Sequence, residues 1–222
     1  YFASGHDEEL GGKQGAAAIA KQLNNKGLKF EFVLDEGTPI TKGIIPEIAA
    51  PIALIAIAEK GYLTLELSAH GMGGHSSMPP RTTAIGIIAK AVSNLAESPF
   101  STRFDGAVAS MFDALAPEMS LSKRLIFANL WLTKPLVKNK LATKPVTDAM
   151  IRTTIAPTML HGSIKENVLP QRASAIINFR ILPGDTKASV IERVTTIIND
   201  SRVNISPLNF FSEPSTIYAT NS

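Results

Sequence analysis

The sequence has 222 residues, and its 45% of hydrophobic residues suffices for one large domain or two small ones with a real core. Its 22 basic and 19 acidic residues are scattered and give a net charge of +3, which argues against a nucleic-acid partner. The absence of cysteine excludes disulfides and cysteine-ligated zinc. The longest apolar run, 48–58, falls well short of the roughly 20 residues that a membrane-spanning helix needs.

An acidic motif, Gly-His-Asp-Glu-Glu-Leu-Gly-Gly at 5–12, stands near the start of the chain. Adjacent carboxylates repel, so the three at 7–9 are either solvated or neutralised by a cation. The apolar residues 1–3 predict the end of a buried strand, and the glycines at 11–12 predict the opening of a helix. Carboxylates at the carboxyl end of a strand face the crevice where α/β sheets bind ligands. Spacing alone leaves open both a metal or acid–base site and a solvated turn.

A helix and a second strand follow this motif. Apolar residues at helical spacing predict a helix over 13–25, which ends at Gly27. The stretch 28–34 predicts a short strand that delivers Asp-Glu-Gly at 35–37, and 52–58 predicts a third strand. If these strands share one parallel sheet, the two acidic groups meet at one edge in a geometry suited to a metal. A turn rich in Asp and Gly remains the alternative.

The periodicity changes near residue 60, where we place a boundary between a first domain, 1–60, and a second, 61–212. Residues 62–68 alternate between apolar and polar side chains, as a half-buried strand does. The later elements are a helix at 82–96, strands at 153–160 and 173–182, a helix at 186–199 and a strand at 204–211. This βαββαβ order is that of the ferredoxin-like split βαβ arrangement. We expect residues 213–222 to be a return segment toward the first domain.

An insertion at about 100–150 separates the first helix of the second domain from its second strand. Its apolar residues recur at helical intervals and are interrupted by Pro117, Pro135 and Pro145, which predicts two or three short helices. We expect its aromatic and methionine side chains to pack against the second domain rather than line a ligand pocket.

Five motifs stand in order along the chain. They are His-Asp-Glu-Glu-Leu-Gly-Gly at 6–12, Leu-Asp-Glu-Gly at 34–37, Gly-His-Ser-Ser-Met-Pro-Pro at 74–80, Glu-Asn-Val-Leu-Pro at 166–170 and Asn-Phe-Arg-Ile-Leu-Pro-Gly-Asp at 178–185. In this order they resemble the motifs of the M20 family of zinc peptidases and amidohydrolases, with the greatest similarity to its Gly-Xaa carboxypeptidase (carboxypeptidase S) and N-acyl amino acid hydrolase branch. The resemblance implies part of an α/β catalytic domain followed by a ferredoxin-like lid, or dimerisation, domain with a helical insertion. It also implies that this sequence is the central part of a longer enzyme.

The resemblance assigns roles to the acidic residues. Glu8 aligns with the general base, Glu9 with a ligand of one zinc ion, and Glu36 with a ligand of the other. Asp35 is the neighbour most easily confused with Glu36, since some members use aspartate near this position. Asp7 is expected to position the backbone.

The ligand set of the family is incomplete in this sequence. The family's first His-x-Asp motif and its bridging aspartate precede the matching segment, and its last histidine ligand follows that segment. His6 is expected to be structural, because the family's histidine ligands lie elsewhere. A centre of two zinc ions therefore lacks ligands here, and we expect this chain by itself to be inactive.

The lid motifs imply the substrate side of the site. His75 aligns with a lid histidine that, in family dimers, reaches the partner subunit's active site and stabilises the oxyanion. Asn167 and Arg180 align with substrate-binding residues, and a guanidinium suits the free carboxylate of the substrate. A solvated loop histidine, a turn amide and an exposed sheet arginine are the simpler readings. Ser76 and Ser77 are no serine-hydrolase nucleophiles, because no Gly-x-Ser-x-Gly elbow surrounds them.

Taken together, the motifs predict zinc-dependent hydrolysis of a peptide or N-acyl amino acid amide bond next to a free carboxylate. The lid domain implies a homodimer. The alternative function is a lid that only dimerises and takes no part in catalysis.

Overall fold

The computed structural model describes residues 1–35, 37, 39–43 and 48–217, and the chain forms two compact units, Tyr1–Thr38 and Pro39–Ser222. Glu36 and residues 218–222 of the predicted return segment lie outside the described residues. The helices are α1 (Ala16–Asn25), α2 (Ala84–Ala96), α3 (Gly106–Leu115), α4 (Leu121–Ala128), α5 (Leu130–Leu141), α6 (Pro145–Ile151) and α7 (Lys187–Ile198). The strands are β1 (Gly61–His70), β2 (Gly74–His75), β3 (Thr154–His161), β4 (Val168–Leu169), β5 (Arg172–Ile181) and β6 (Val203–Ser212).

The first unit contains the predicted helix but not the predicted strands. Helix α1 ends before Gly27, whose φ of +69° suits a glycine after a helix end. Residues 1–3 and 28–34 form no strand, and Tyr1 and Phe2 are 92% and 96% exposed. The prediction is wrong at these positions because a strand needs a neighbour for its backbone groups, and the described part of this unit has none. The third predicted strand, 52–58, lies in the second unit and forms only an isolated bridge, from Ile52 to Thr41.

The second unit is built on a four-stranded sheet of order β3-β5-β1-β6 in which every neighbouring pair is antiparallel. This order and the βαββαβ succession of its long elements are those of the ferredoxin-like arrangement, so the predicted fold class is confirmed. The short strands β2 and β4 form a separate two-stranded sheet.

Alternation along the strands produces the core of this unit. On β1, Leu63, Leu65 and Leu67 are fully buried, and β5 contributes residues such as Ile177 and Phe179 to the same cluster. Helices α2 and α7 cover this face of the sheet with their apolar stripes. The helices begin at threonine N-caps, and Thr186 forms a capping box at the start of α7. The alternate residues of β1 and β5 therefore lie on the sheet face opposite the helices.

The insertion forms a helical subdomain with a core of its own. Phe104, Val137 and Ile151 are buried together, and Phe112 and Phe127 stack with ring centroids 5.0 Å apart. This cluster is separate from the core of the sheet, so the expected packing against the lid is largely replaced by packing within the insertion.

Four helices form in the insertion rather than two or three. Pro145 begins α6, as a proline at a first helical position does, and Pro117 lies in a short 3-10 turn after α3. Pro135 lies inside α5 and does not end it. Its fixed φ is compatible with a helix, and the ring removes only one backbone hydrogen bond.

One carboxylate joins the two ends of the insertion to the turn between β5 and α7. Asp185 accepts a hydrogen bond from Arg103 Nη1 at 2.8 Å and another from the hydroxyl of Thr153. The backbone N–H of Leu182 donates in turn to Thr153 Oγ1 at 2.9 Å, and that of Arg103 donates to the carbonyl of Ile151 at 2.6 Å. The last residue of the motif at 178–185 is therefore a structural clamp.

Replacing Asp185 by alanine is expected to lower the free energy of unfolding by about 2–3 kcal/mol, because it leaves Nη1 of Arg103 and the buried hydroxyl of Thr153 without this acceptor. Urea denaturation followed by circular dichroism measures the change. Asp200→Ala is the matched control, because among the described residues the Asp200 carboxylate hydrogen-bonds only with Arg202, two residues away. Equal losses in the two variants would contradict the clamp.

Candidate active site

Asp7 holds the acidic motif against the start of α1. Its Oδ2 accepts from the backbone N–H of Gln14 and its Oδ1 from that of Gly15, both at 2.9 Å. Gly15 has no room for a side chain, since a Cβ there would lie 2.3 Å from the carbonyl oxygen of His6. Of the three adjacent carboxylates, that of Asp7 thus binds backbone N–H groups and positions the backbone, as expected from the sequence.

The other two carboxylates, Glu8 and Glu9, lie in one 3-10 turn and are exposed. The turn is closed by backbone hydrogen bonds from Gly11 to the carbonyl of Glu8 at 2.8 Å and from Gly12 to that of Asp7 at 2.9 Å. Both glycines have positive φ, at 91° and 62°, a region that side chains disfavour. The motif therefore presents a pair of carboxylates on a well-defined turn.

The described residues do not by themselves form a metal centre. Among them, no group of three His, Asp or Glu side chains converges as metal ligands would. Carboxylates such as Glu9 have the right chemistry for zinc, but zinc takes three or four protein ligands. Glu36, the predicted ligand of the second zinc, lies outside the described residues. A metal here needs further ligands from elsewhere.

The structure brings His75 and Asn167 together, although they are far apart in the sequence. Strands β2 and β4 pair His75 with Val168, and the backbone N–H of Ser76 donates to the carbonyl of Asn167 at 3.1 Å. This small sheet lies beyond the end of the large sheet at which β1 ends and β5 begins.

Hydrogen bonds orient the His75 ring. Its Nδ1 accepts from the backbone N–H of Ser77 at 3.2 Å and lies 2.9 Å from the Ser77 hydroxyl oxygen. An accepting Nδ1 places the proton of the neutral ring on Nε2, which is then a donor on an exposed side chain. In the same small sheet, Asn167 Oδ1 is buried and has no hydrogen-bond partner among the described residues.

Arg180 lies on the helix-free face at the other end of the large sheet. Its guanidinium carbon is 4.8 Å from the centroid of the Tyr62 ring, a cation–π distance. None of the carboxylates in the described part of the chain forms a salt bridge with it.

Lys60 is a second cation at this end of the sheet, and nothing in the sequence pattern identified it. Its Nζ donates to the carbonyls of Ala149 at 2.8 Å and Arg152 at 2.9 Å, at the end of α6. Burial, and after it the charge of Arg180, lowers the pKa of Lys60 to about 8. The carboxylates of Asp148 and Asp185 raise this pKa and so offset part of the lowering.

Replacing Arg180 by glutamine is expected to raise the pKa of Lys60, because it removes the like charge. Asp148→Asn should lower that pKa further, because the Asp148 carboxylate favours the ammonium. A titration of the Lys60 Cε signal by NMR measures both changes. An unchanged Lys60 pKa in Arg180→Gln would contradict the proximity of the two cations.

The same shift predicts how stability depends on pH. The folded pKa of Lys60, about 8, lies below its ordinary value of 10.5, so between these values the unfolded chain binds more protons than the folded chain. The contribution of Lys60 to stability therefore rises as the pH rises from about 8 to 10.5, and Lys60→Met should lose this rise. Urea midpoints of both proteins across this range measure the difference.

The predicted lid residues form two separate groups. Arg180 pairs with Tyr62, whereas Arg172, next to the small sheet, pairs with His70. Eight residues of extended strand separate Arg172 from Arg180, which is about 27 Å. His75 and Asn167 therefore lie together at one end of the sheet, and Arg180 lies at the other.

Comparison with known proteins places these features in a family context. A model of the M20 peptidase dimerisation domain matches residues 57–205. A probable carboxypeptidase S-like protein of Dictyostelium discoideum is 45% identical over all of this chain and 43% of its own length. An N-fatty-acyl-amino acid synthase/hydrolase of Xenopus tropicalis is 42% identical over 95% of this chain and 41% of its own length. The chain thus spans less than half the length of these relatives.

A solved structure has the same fold at lower sequence similarity. The M20 family metallo-carboxypeptidase Sso-CP2 of Sulfolobus solfataricus superposes with a TM-score of 0.52 at 19% identity, over 95% of this chain and 56% of that protein. Among the described residues of the present chain, every helix is too short or too polar to cross a bilayer.

Proposed function

This chain belongs to the M20 peptidase family, and from that membership we propose that it is the central part of a zinc-dependent hydrolase. The enzyme cleaves the amide bond of a peptide or an N-acyl amino acid next to a free carboxylate. In this proposal residues 1–60 belong to the catalytic domain, 61–212 form the lid with its helical insertion, and 213–222 return toward the catalytic domain.

The pair of cations at the start of β1 and the end of β5 is the observation that carries the proposal. Arg180 has no salt-bridge partner among the described carboxylates, and its charge contributes to the lowered pKa of Lys60. An incoming carboxylate relieves this repulsion and can accept two hydrogen bonds from the guanidinium. The arrangement thus supports a substrate with a free carboxylate.

The acidic turn supplies the proton transfer in this proposal. Glu8 takes a proton from the attacking water and passes it to the leaving nitrogen. Glu9 and Glu36 would each hold one zinc ion, together with ligands from outside this chain. Zinc, when bound, makes the attacking water more acidic.

His75 completes the site from the partner subunit. An amide oxygen and the carboxylate of the same small substrate are a few ångströms apart. In one lid, His75 lies in the small sheet beyond Arg172, and eight residues of extended strand, about 27 Å, separate Arg172 from Arg180. One lid therefore cannot supply both contacts to one substrate. A homodimer can do so, with the Nε2 donor of His75 reaching the oxyanion in the other subunit's site.

Removing the substrate carboxylate, or Arg180, tests the substrate class. Arg180→Ala in the longer enzyme is expected to lower kcat/KM for an N-acyl amino acid about tenfold to a hundredfold, from the loss of hydrogen bonds to a charged group. The same substrate with a C-terminal amide should lose about as much with the unmodified enzyme and should be little affected by Arg180→Ala. Equal turnover of acid and amide by the unmodified enzyme would remove Arg180 from this role and favour a general amidase.

A lid that only dimerises is the second candidate function. The insufficient ligand set among the described residues is the observation that favours it. Metal analysis of the longer enzyme separates the two candidates, since a dimerisation module needs no bound zinc.

A further inference from the structure

The outward face of α5 is largely apolar, with Asn139 as its polar residue, which is unusual for the exposed side of a helix. Trp131, Leu132 and Leu136 are 82%, 66% and 62% exposed, and Pro135 is exposed beside them. Positions 131, 132, 135 and 136 repeat at intervals of one and four, so they share one side of the helix. Val137, on the opposite side, is buried in the core of the insertion. Below, this side of α5 is called the outward stripe.

Lysines flank the outward stripe. Lys134 and Lys138 follow one edge of the helix, and Lys140 lies near the other edge. The whole stretch 119–147 contains no acidic residue. Its six basic residues are Lys123, Arg124, Lys134, Lys138, Lys140 and Lys144. Helix α4, in the same stretch, adds two exposed apolar side chains, Leu121 at 72% and Leu125 at 57%.

The outward stripe belongs to a well-packed subdomain. Thr133 Oγ1 donates to the carbonyls of Ile126 at 2.6 Å and Asn129 at 3.0 Å, which ties α5 to α4. The stacked Phe112 and Phe127 tie α4 to α3. The exposed apolar side chains are therefore presented by a folded surface with its own core beneath it.

We propose that this surface of the insertion docks onto an anionic lipid bilayer. The tryptophan and leucines of the outward stripe insert at the level of the headgroups and upper acyl chains, where an indole is favoured. The flanking lysines extend their apolar stems along the lipid and place their ammonium groups at the phosphates. With 12 residues, α5 lies in the plane of the interface and does not cross it.

Charge and hydrophobicity together favour a lipid surface over other partners. A nucleic acid would match the three lysines that flank the outward stripe but would leave the tryptophan and leucines in water. Anionic headgroups with acyl chains beneath them satisfy both features of the surface.

Docking would also bring substrate binding close to the lipid. Lys60 contacts the end of α6, so the base of the insertion lies at the Arg180 end of the sheet. If the proposed function holds, the carboxylate-binding end of the lid adjoins the insertion that docks, which suits amphiphilic acyl substrates. The docking itself does not depend on that function.

Trp131 provides a direct test, because it is the only tryptophan in the chain. Vesicles of phosphatidylserine and phosphatidylcholine should shift its fluorescence to the blue and carry the chain into the pellet on centrifugation. Vesicles of phosphatidylcholine alone, or high salt, should bind much less. Each lysine changed to glutamine should weaken binding about fivefold, so Lys134, Lys138 and Lys140 together should weaken it about a hundredfold.

Two further variants make the test specific. Leu132→Ser with Leu136→Ser should weaken binding about tenfold or more while keeping the charge. Ile164→Ser with Lys165→Gln removes an exposed apolar residue and a lysine outside the insertion and should leave binding unchanged. Circular dichroism checks that every variant is folded.

Several results would overturn the proposal. The first two are a failure to bind the anionic vesicles and an equal loss of vesicle binding in the stripe variants and the control variant. The other two are tighter binding of an RNA oligonucleotide than of vesicles, and self-association of the chain that the leucine variant abolishes. The assay is then repeated with the longer enzyme. If the rest of that enzyme covers the outward stripe, the vesicles cause no shift of the tryptophan fluorescence, and this result would also overturn the proposal. Activity measured without lipid tests the proposed function separately, so the two can fail independently.

Discussion

Glu8→Gln in the longer enzyme is expected to lower turnover by about a hundredfold to ten-thousandfold, the usual contribution of a general base. Glutamine keeps the size of the side chain and the exposed 3-10 turn but cannot accept the proton of the attacking water. The turn itself should survive, because its hydrogen bonds come from the backbone and from Asp7. Steady-state kinetics with an N-acyl amino acid measure the loss.

The neighbouring carboxylate is the matched control for this variant. Glu9→Ala should lower the zinc content measured by elemental analysis, whereas Glu8→Gln should leave it unchanged. Near wild-type turnover in Glu8→Gln would exclude Glu8 as the base. Loss of zinc in Glu8→Gln would instead make Glu8 a ligand.

His75→Ala is expected to lower kcat by about a hundredfold to a thousandfold, as the loss of one oxyanion donor does. The KM should change little, because the donor acts mainly on charge that develops in the transition state. Ser77→Ala should have a smaller effect, since the hydroxyl only helps to hold the ring, and the backbone N–H of residue 77 remains as a donor to Nδ1.

Mixing two inactive variants tests whether His75 acts across the dimer. A heterodimer of Glu8→Gln and His75→Ala subunits contains one site with an intact base and an intact partner histidine. Random mixing should therefore restore roughly a quarter of the wild-type activity if subunits pair freely. If His75 serves its own subunit, both sites of the heterodimer are defective and the mixture stays inactive. That result would contradict the argument from the length of the sheet.

The lid could be predicted from the sequence because its elements are determined by local patterns. The leucines at 63, 65 and 67 alternate with polar residues and define the inner face of β1, and the same kind of pattern identified β5 and β6. Threonines at the starts of α2 and α7 satisfy orphan backbone donors locally. The acidic motif needed only Asp7 and its glycines to form a turn.

The strands predicted for the first unit do not form, because a strand needs a neighbouring strand to pair with its backbone groups. Residues 28–34 have a suitable apolar pattern, but the described part of that unit offers no neighbour for their backbone. The prediction that Pro135 interrupts a helix failed for a related reason. Packing of α5 around Val137 outweighs the loss of one hydrogen bond.

By itself, the sequence determined the type of fold, the succession of elements in the lid and the identity of the candidate site residues other than Lys60. Only the tertiary structure decided which of these residues meet. Pairing of β2 with β4 brings His75 beside Asn167, and the length of β5 keeps Arg180 away from both. The C-terminal end of α6 binds Lys60 and so holds it near Arg180. Backbone hydrogen bonds between segments distant in the chain fix these distances, and no pattern within one segment encodes them.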